Sequence, residues 1–162
     1  MTGPTDVAAD SEIVVRVARA DDFEAALALA PRLGEGVAAW RDPVEVQQAV
    51  ARWVRESFDR SAEQGRTVFV AELGGVVVGF VAAEVKQHWS DGRDAYIGEL
   101  AVRPDVERRG VGRALVEAVA DWARGRGLAH LTLDTGAANH RARRFYAGLG
   151  FAVEDVRLTT PL

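Results

Sequence analysis

The sequence predicts a mixed α/β domain with a mostly antiparallel sheet, and three observations carry that expectation. Short β-rich runs punctuated by glycine turns and two helical stretches fill the chain from Ile13 to Val102. After Pro104 the order becomes strand, helix, strand, which brings one parallel pair because a right-handed crossover returns the chain beside the strand it left. A length of 162 residues, 48% hydrophobic and 27% charged, suits one core and excludes disorder along the whole chain.

Residues 1–12 are small and polar without periodicity, so a flexible tail is expected ahead of a single domain over 13–162. Ile13, Val15 and Val17 alternate with Val14 and Arg16 as a first strand, and Asp21 with Glu24 reads as a capping box that opens a helix. Asp42 and Pro43 open a second helix running to about Glu63, with Val46, Val50, Trp53, Val54 and Phe58 on one face. The intervening stretch 31–41 reads as an ordered loop, in which Glu35 and Trp40 are candidates for an acceptor pocket. Residues 67–73 and 76–86 form a hairpin across Gly74-Gly75, since a tight turn needs positive φ angles. Residues 87–93 form a polar loop where His88, Trp89 and Asp91 are further acceptor-site candidates, and 95–102 form a third antiparallel strand stopped by Pro104.

Val111, Ala114, Leu115, Ala118, Val119 and Trp122 then repeat at helical spacing, with Gly125 and Gly127 ending the helix. Residues 128–134 read as a buried strand parallel to the one beginning at Ala95. Asn139 caps a short helix bearing Ala142, Phe145, Tyr146 and Leu149, Gly150 terminates it, and 151–158 are expected as the last strand.

Composition narrows the function. The absence of cysteine removes disulfide frameworks, thiolate nucleophiles and thiolate zinc sites, and fits a reducing cytoplasm. Residues 1–12 are acidic where a signal peptide would be basic and then apolar, and no apolar run reaches membrane-spanning length, so a cytoplasmic protein with no membrane partner is expected. A net charge of −4 speaks against nucleic acid as a partner. Lys86 is the one lysine, which removes a Walker-type loop and nearly all Schiff-base chemistry. His88, His130 and His140 have no metal-ligand spacing, and no metal is expected.

The stretch VRPDVERRGVGRAL, residues 102–115, ends a strand, turns through glycines and opens an amphipathic helix. The first-turn N–H groups of such a helix lack intrahelical partners, and its dipole favours an anion. Arg108, Arg109 and Arg113 add cationic side chains, so a phosphate site is expected here.

Two motifs in this order carry a resemblance to the GNAT superfamily of acetyl-CoA-dependent N-acetyltransferases. Glu107-Arg108-Arg109-Gly110-Val111-Gly112 is similar to that family's [Q/R]-x-x-G-x-[G/A] signature, and Asn139, Ala142, Phe145, Tyr146, Gly150 and Phe151 match its N-x-x-A-x-x-[F/L]-Y-x-x-x-G-F pattern. The resemblance implies a six- or seven-stranded sheet whose parallel central pair splays around the cosubstrate, with about four flanking helices. It also implies that acetyl-CoA is held by the backbone of Leu100, Ala101 and Val102 and by Asn139 at the pantetheine arm, by Arg108, Arg109, Gly110, Val111, Gly112, Arg113 and Ala114 at the pyrophosphate, and by Arg143 or Arg144 at the nucleotide phosphates. Glu107 departs from the signature, because an acid near pyrophosphate is electrostatically unhelpful, and it is expected to point outward or to pair with Arg108 or Arg109.

Glu99, an acid in a mostly apolar strand, is the candidate base that deprotonates an amine directly or through water. Strand alternation sets Glu99 and Ala101 on one face and Leu100 and Val102 on the other. Tyr146 resembles the family's general acid, protonated at neutral pH and placed for the departing sulfur. The expected activity is direct transfer in a ternary complex to a small-molecule, peptide or protein amine.

Two rival readings differ in class. Gly110-x-Gly112 followed by Asp134 hints at a dinucleotide unit, but Leu115 stands at the third glycine position. A catalytically silent acyl-CoA-binding regulatory module is the other, opposed by the presence of both Glu99 and Tyr146. With only Thr159 to Leu162 after the last expected strand, an exposed sheet edge predicts a homodimer.

Overall fold

The computed structural model describes residues 12–162, and the expected tail over 1–12 lies outside the described residues except for Glu12. Five strands form one sheet in sequence order: β1 (Ile13–Val17), β2 (Arg66–Leu73), β3 (Val76–Gln87), β4 (Arg93–Val102) and β5 (Leu131–Leu133). The first four are antiparallel neighbours and β5 runs parallel to β4. Four α-helices flank the sheet: α1 (Phe23–Leu29), α2 (Pro43–Asp59), α3 (Val111–Arg124) and α4 (His140–Gly148).

Local chemistry accounts for most element ends. Gly74 and Gly75 take φ values of 58° and 77°, as a two-residue hairpin turn requires. The Asp42 carboxylate accepts from the Val44 and Glu45 N–H groups at 2.8 and 3.0 Å, capping α2, with Pro43 at its first position. The first helix departs from expectation. A 3-10 turn over Ala20–Asp22 precedes α1, and the working acid is Asp22, whose side chain accepts from the Arg19 N–H and from both terminal nitrogens of Arg16. The Arg16 guanidinium holds that carboxyl below the usual range. α2 ends at Asp59, short of Glu63, and a second 3-10 turn, Ala30–Gly34, shapes the start of the expected loop.

One layer packs Leu115, Val116 and Val119 of α3 against Ala71, Leu73, Val81 and Ile97. The other packs α1 and α2, through Ala26, Leu29, Val50 and Val54, against Val68, Val70, Phe80, Ala82 and Ala101.

The expected six or seven strands are not found among the described residues, because 151–162 carry no strand. β5 offers a ladder of only three residues, and Val153, Val156 and Leu158 remain exposed. The expected strand over 128–134 is likewise trimmed to those three. Without a strand over 151–158, β5 is the sheet edge on one side and β1 on the other. No helix among the described residues is long and apolar enough to cross a membrane.

Candidate active site

The register of β3 against β4 contains the feature that aims Glu99. Ala82 pairs with Glu99 and Ala83 with Ile97, leaving Gly98 unopposed as a β-bulge. Regular alternation would put residues 97, 99 and 101 on one face. The extra residue resets the phase, so Ile97 joins the α3 layer while Ala101 joins the α1/α2 layer. Glu99 thereby faces α2, where it accepts a hydrogen bond from Ser57 Oγ at 2.9 Å on Oε2. Leu100 and Val102 pack on the α3 side, as alternation within that half of the strand predicts.

Glu99 is 8% exposed, and burial pushes its carboxyl up to about 7 against the opposing effect of the Ser57 hydrogen bond. It lines a cleft of about 330 Å³ with Trp53, Glu56, Arg60, Glu84, Tyr96 and neighbouring residues of α2, β2, β3 and β4. Trp40, Glu35, His88, Trp89 and Asp91 do not line this cleft. Nε2 of His88 lies 3.4 Å from Glu154, and Trp89 is exposed.

β5 accompanies β4 only over Ala95, Tyr96 and Ile97. Beyond that point β5 ends, and residues 98–102 have no strand on that side among the described residues, so this stretch of the β4 edge beside Glu99 is unpaired. The Tyr96 hydroxyl donates to Asp134 at 3.0 Å and pins the chain just past the end of β5 to β4. That engagement answers the dinucleotide reading: Asp134 is held by the sheet, and a 3-10 turn, Pro104–Val106, separates β4 from the glycines where a tight turn would be needed.

On the opposite layer, α4 brings Tyr146 against the α3 core, with ring centroids 5.0 Å from Phe145 and 5.4 Å from Phe151. Burial pushes its phenol up to about 12, and its hydroxyl has no hydrogen-bond partner among the described residues. Glu99 thus lies on the α2 side of the sheet and Tyr146 in the α3 layer.

The glycine loop has the form an anion cradle needs. Arg108 and Gly110 sit at φ 64° and 88°, Gly110 caps α3, and the first intrahelical bond runs from Ala114 N–H to the Gly110 carbonyl at 3.0 Å. The N–H groups of Val111, Gly112 and Arg113 precede that bond at the helix N-terminus. Gly112 has a second reason to be glycine: an added Cβ would lie 3.1 Å from the Phe145 ring, so its smallness lets α3 and α4 approach. Arg109 enters the turn just before Gly110, and Arg113 lies 3.9 Å from Glu117, an i,i+4 contact on the exposed face.

Glu107 corrects the expectation that it would point outward or pair with its neighbours. It pairs with Arg141 of α4 at 2.9 Å and with Arg32. Both arginines also contact Glu35, so two acids and two bases tie the loop after α1 to the glycine loop and to α4. Arg32 further donates to the Val102 carbonyl at 3.0 Å, and Asn139 Nδ2 donates to the Glu35 carbonyl at 3.2 Å while its Oδ1 caps Ala142 N–H at 3.0 Å. A strap over residues 32–37 therefore holds two groups that the sequence assigns to pantetheine. Its fit is close, since a Cβ on Gly136 would fall 2.1 Å from the Gly36 carbonyl oxygen. Arg143 donates to the Ala137 carbonyl at 3.3 Å.

Sequence reasoning missed Ser57, Tyr96 and Arg32. Ser57 carried a readable signal: it lies seven residues after Val50 and three after Val54, on the buried stripe of α2, where a polar residue needs a partner.

Comparison with known proteins agrees with this geometry. The Acetyltransferase (GNAT) family profile matches residues 36–151. An uncharacterized N-acetyltransferase of Methanocaldococcus jannaschii is 36% identical over 110 residues, covering 65% of this chain and 47% of that protein. An aminoglycoside N(6')-acetyltransferase type 1 of Salmonella typhimurium is 29% identical over 87 residues, covering 51% and 60%. The [ribosomal protein bS18]-alanine N-acetyltransferase of Escherichia coli is 41% identical over 64 residues, covering 40% and 43%. The chain thus matches about half the length of these curated relatives. A solved aminoglycoside N-acetyltransferase in complex with CoA superposes with a TM-score of 0.72 over 94% of this chain and 95% of that one at 20% identity, which is a likeness of fold. The family profile spans the cleft, the glycine loop and α4 together, and the chain belongs to the GNAT acetyltransferase family.

Proposed function

We propose that the protein is an N-acetyltransferase that moves an acetyl group from acetyl-CoA to a primary amine by direct attack in a ternary complex. The observation that carries this reading is the end of β5 beside Glu99, which leaves residues 98–102 of β4 without a strand on that side, with Glu99 facing α2 and Tyr146 packed in the α3 layer. An acceptor entering from the α2 cleft and a thioester lying along the unpaired stretch of the β4 edge meet there.

Acetyl-CoA supplies the activated thioester. The first turn of α3 and the loop through Arg108, Arg109 and Gly110 would hold its pyrophosphate, with Arg143 nearby and the backbone of Leu100 and Ala101 facing the pantetheine arm. Asn139 and the Val102 carbonyl join them when the strap over 32–37 yields its hydrogen bonds. Glu99, with its carboxyl near 7, takes one proton from the incoming ammonium. The neutral amine forms the C–N bond, an N–H of the unpaired β4 edge stabilises the oxyanion, and the C–S bond breaks. Tyr146 gives its phenolic proton to the leaving sulfur, and the surplus proton on the new amide nitrogen returns through solvent to the phenolate. The upward-shifted phenol keeps its proton until that bond breaks.

The acceptor is a small-molecule, peptide or protein amine, in keeping with relatives named for aminoglycoside and ribosomal-protein acetylation. The reading includes one catalytic domain over 13–162, a cytoplasmic setting, and a homodimer, which the short β5 edge and the exposed Val153, Val156 and Leu158 each support. Initial rates at varied acetyl-CoA and amine test the mechanism. Intersecting double-reciprocal lines are expected, and parallel lines would establish an acyl-enzyme and overturn direct transfer.

A further inference from the structure

We propose that Ser57 is a positioning residue for acetyl transfer, its hydroxyl fixing one oxygen of Glu99 so that the other faces the incoming amine. This rests on the reading of Glu99 as the base. The contact joins residues 42 apart in sequence, from the inner face of α2 to the bulged half of β4.

Ser57 is the one side-chain donor to Glu99 among the described residues, although the cleft is rich in other polar groups. From α2 Glu56 and, just past its end, Arg60 face it, from β2 Arg66 and Thr67, from β3 Glu84, and from β4 Tyr96. The cationic and phenolic donors are engaged elsewhere. Arg66 pairs with Glu84 and Glu63, Arg60 pairs with Glu63, and the Tyr96 hydroxyl donates to Asp134. Glu56 and Glu84 are acids that disfavour charge on Glu99.

The hydroxyl donates to Oε2, which leaves Oε1 to accept a proton. When an ammonium N–H bond breaks, an O–H bond forms at Oε1 and Ser57 keeps its own hydrogen. Without that hydroxyl the carboxyl rotates about its terminal torsion, which is broad for glutamate. Ser57 also favours the anion, which is the form that acts as base.

The test compares wild type, Ser57→Ala and Ser57→Thr by carbon-detected NMR titration of Glu99 and by the pH profile of kcat/KM, with acetyl-CoA and 1,4-diaminobutane as probes. In Ser57→Ala the Glu99 titration should move up by about one pH unit, and the acid limb of the profile should move with it, so that rates on that limb fall about tenfold. Ser57→Thr, which retains a hydroxyl, should return both toward wild type. An unchanged Glu99 titration in Ser57→Ala overturns the proposal. So does a loss of activity equal in both variants with no movement of the titration, which assigns Ser57 to packing alone. A titration that moves as expected in a protein that acetylates no amine also overturns the role, and identifies the acetyl-transfer reading, not the contact, as what failed.

Discussion

Replacing Glu99 by glutamine separates the charge of the candidate base from its shape. The carboxyl ionises near 4.5 in an ordinary setting and near 7 in the folded protein, chiefly because burial disfavours its anion. Between those values the folded protein binds a proton that the unfolded chain has released, so Glu99 makes stability fall as pH rises through that window. At about 1.4 kcal/mol per pKa unit, the cost above pH 7 is about 3 kcal/mol. Glutamine keeps an oxygen for the Ser57 hydroxyl and carries no charge. Glu99→Gln should therefore be more stable than wild type by about 3 kcal/mol at pH 8 and indistinguishable from it near pH 4.5, while turnover falls about a hundredfold or more near and above pH 7, where the wild-type carboxyl is ionised, and by less on the acid limb, where the wild type is itself protonated. Urea unfolding at the two pH values, beside rates across pH, measures both. A stability difference that is the same at pH 4.5 and pH 8 would refute the assignment of a buried, titrating Glu99.

Three further substitutions probe other parts of the site. Tyr146→Phe should lower kcat by about a hundredfold while leaving the acetyl-CoA Kd within about twofold, because the phenol acts on the leaving sulfur; calorimetry and steady-state rates separate the two effects. Glu107→Gln removes an acid beside the pyrophosphate cradle and loosens its hold on Arg32 and Arg141, so acetyl-CoA should bind a few-fold more tightly at low salt, with the gain shrinking as salt rises in a titration series. Gly136→Ala drives a Cβ to within 2.1 Å of the Gly36 carbonyl oxygen, and denaturant unfolding should show a loss of about 1–3 kcal/mol as the strap shifts from α4.

The parts of this site that the sequence made legible are those built from local chemistry. Gly110 at positive φ, Asn139 at a helix N-terminus and the Gly74-Gly75 turn each satisfy a requirement set within a few residues, and each stands where the pattern put it. The acid at position 99 was legible for a similar reason, being a charge in an apolar strand. The bulge at Gly98 was not, because register is a property of two strands. Ser57, Arg32 and the Glu35 carbonyl meet their partners across 42, 70 and 104 residues, and no local pattern records those meetings. Asn139 shows the difference within one side chain. Its Oδ1 makes the cap the sequence predicts, while its Nδ2 is taken by a loop whose approach only the folded chain reveals. The last strand failed for a physical reason as well: residues 151–158 have β-like character, but the three residues of β5 supply too short a ladder to hold them.

The most direct test of the account is a mass-spectrometric assay of the purified protein with acetyl-CoA and a panel of amines covering polyamines, aminoglycosides, amino acids, peptide N-termini and protein lysines, with free CoA thiol measured in parallel. At least one amine should gain a single acetyl group, with one CoA released for each product formed and loss of that product in Glu99→Gln. Saturable binding of acetyl-CoA with no acetylated product and no thiol release across the panel would contradict it, and would make the protein a silent acyl-CoA-binding module.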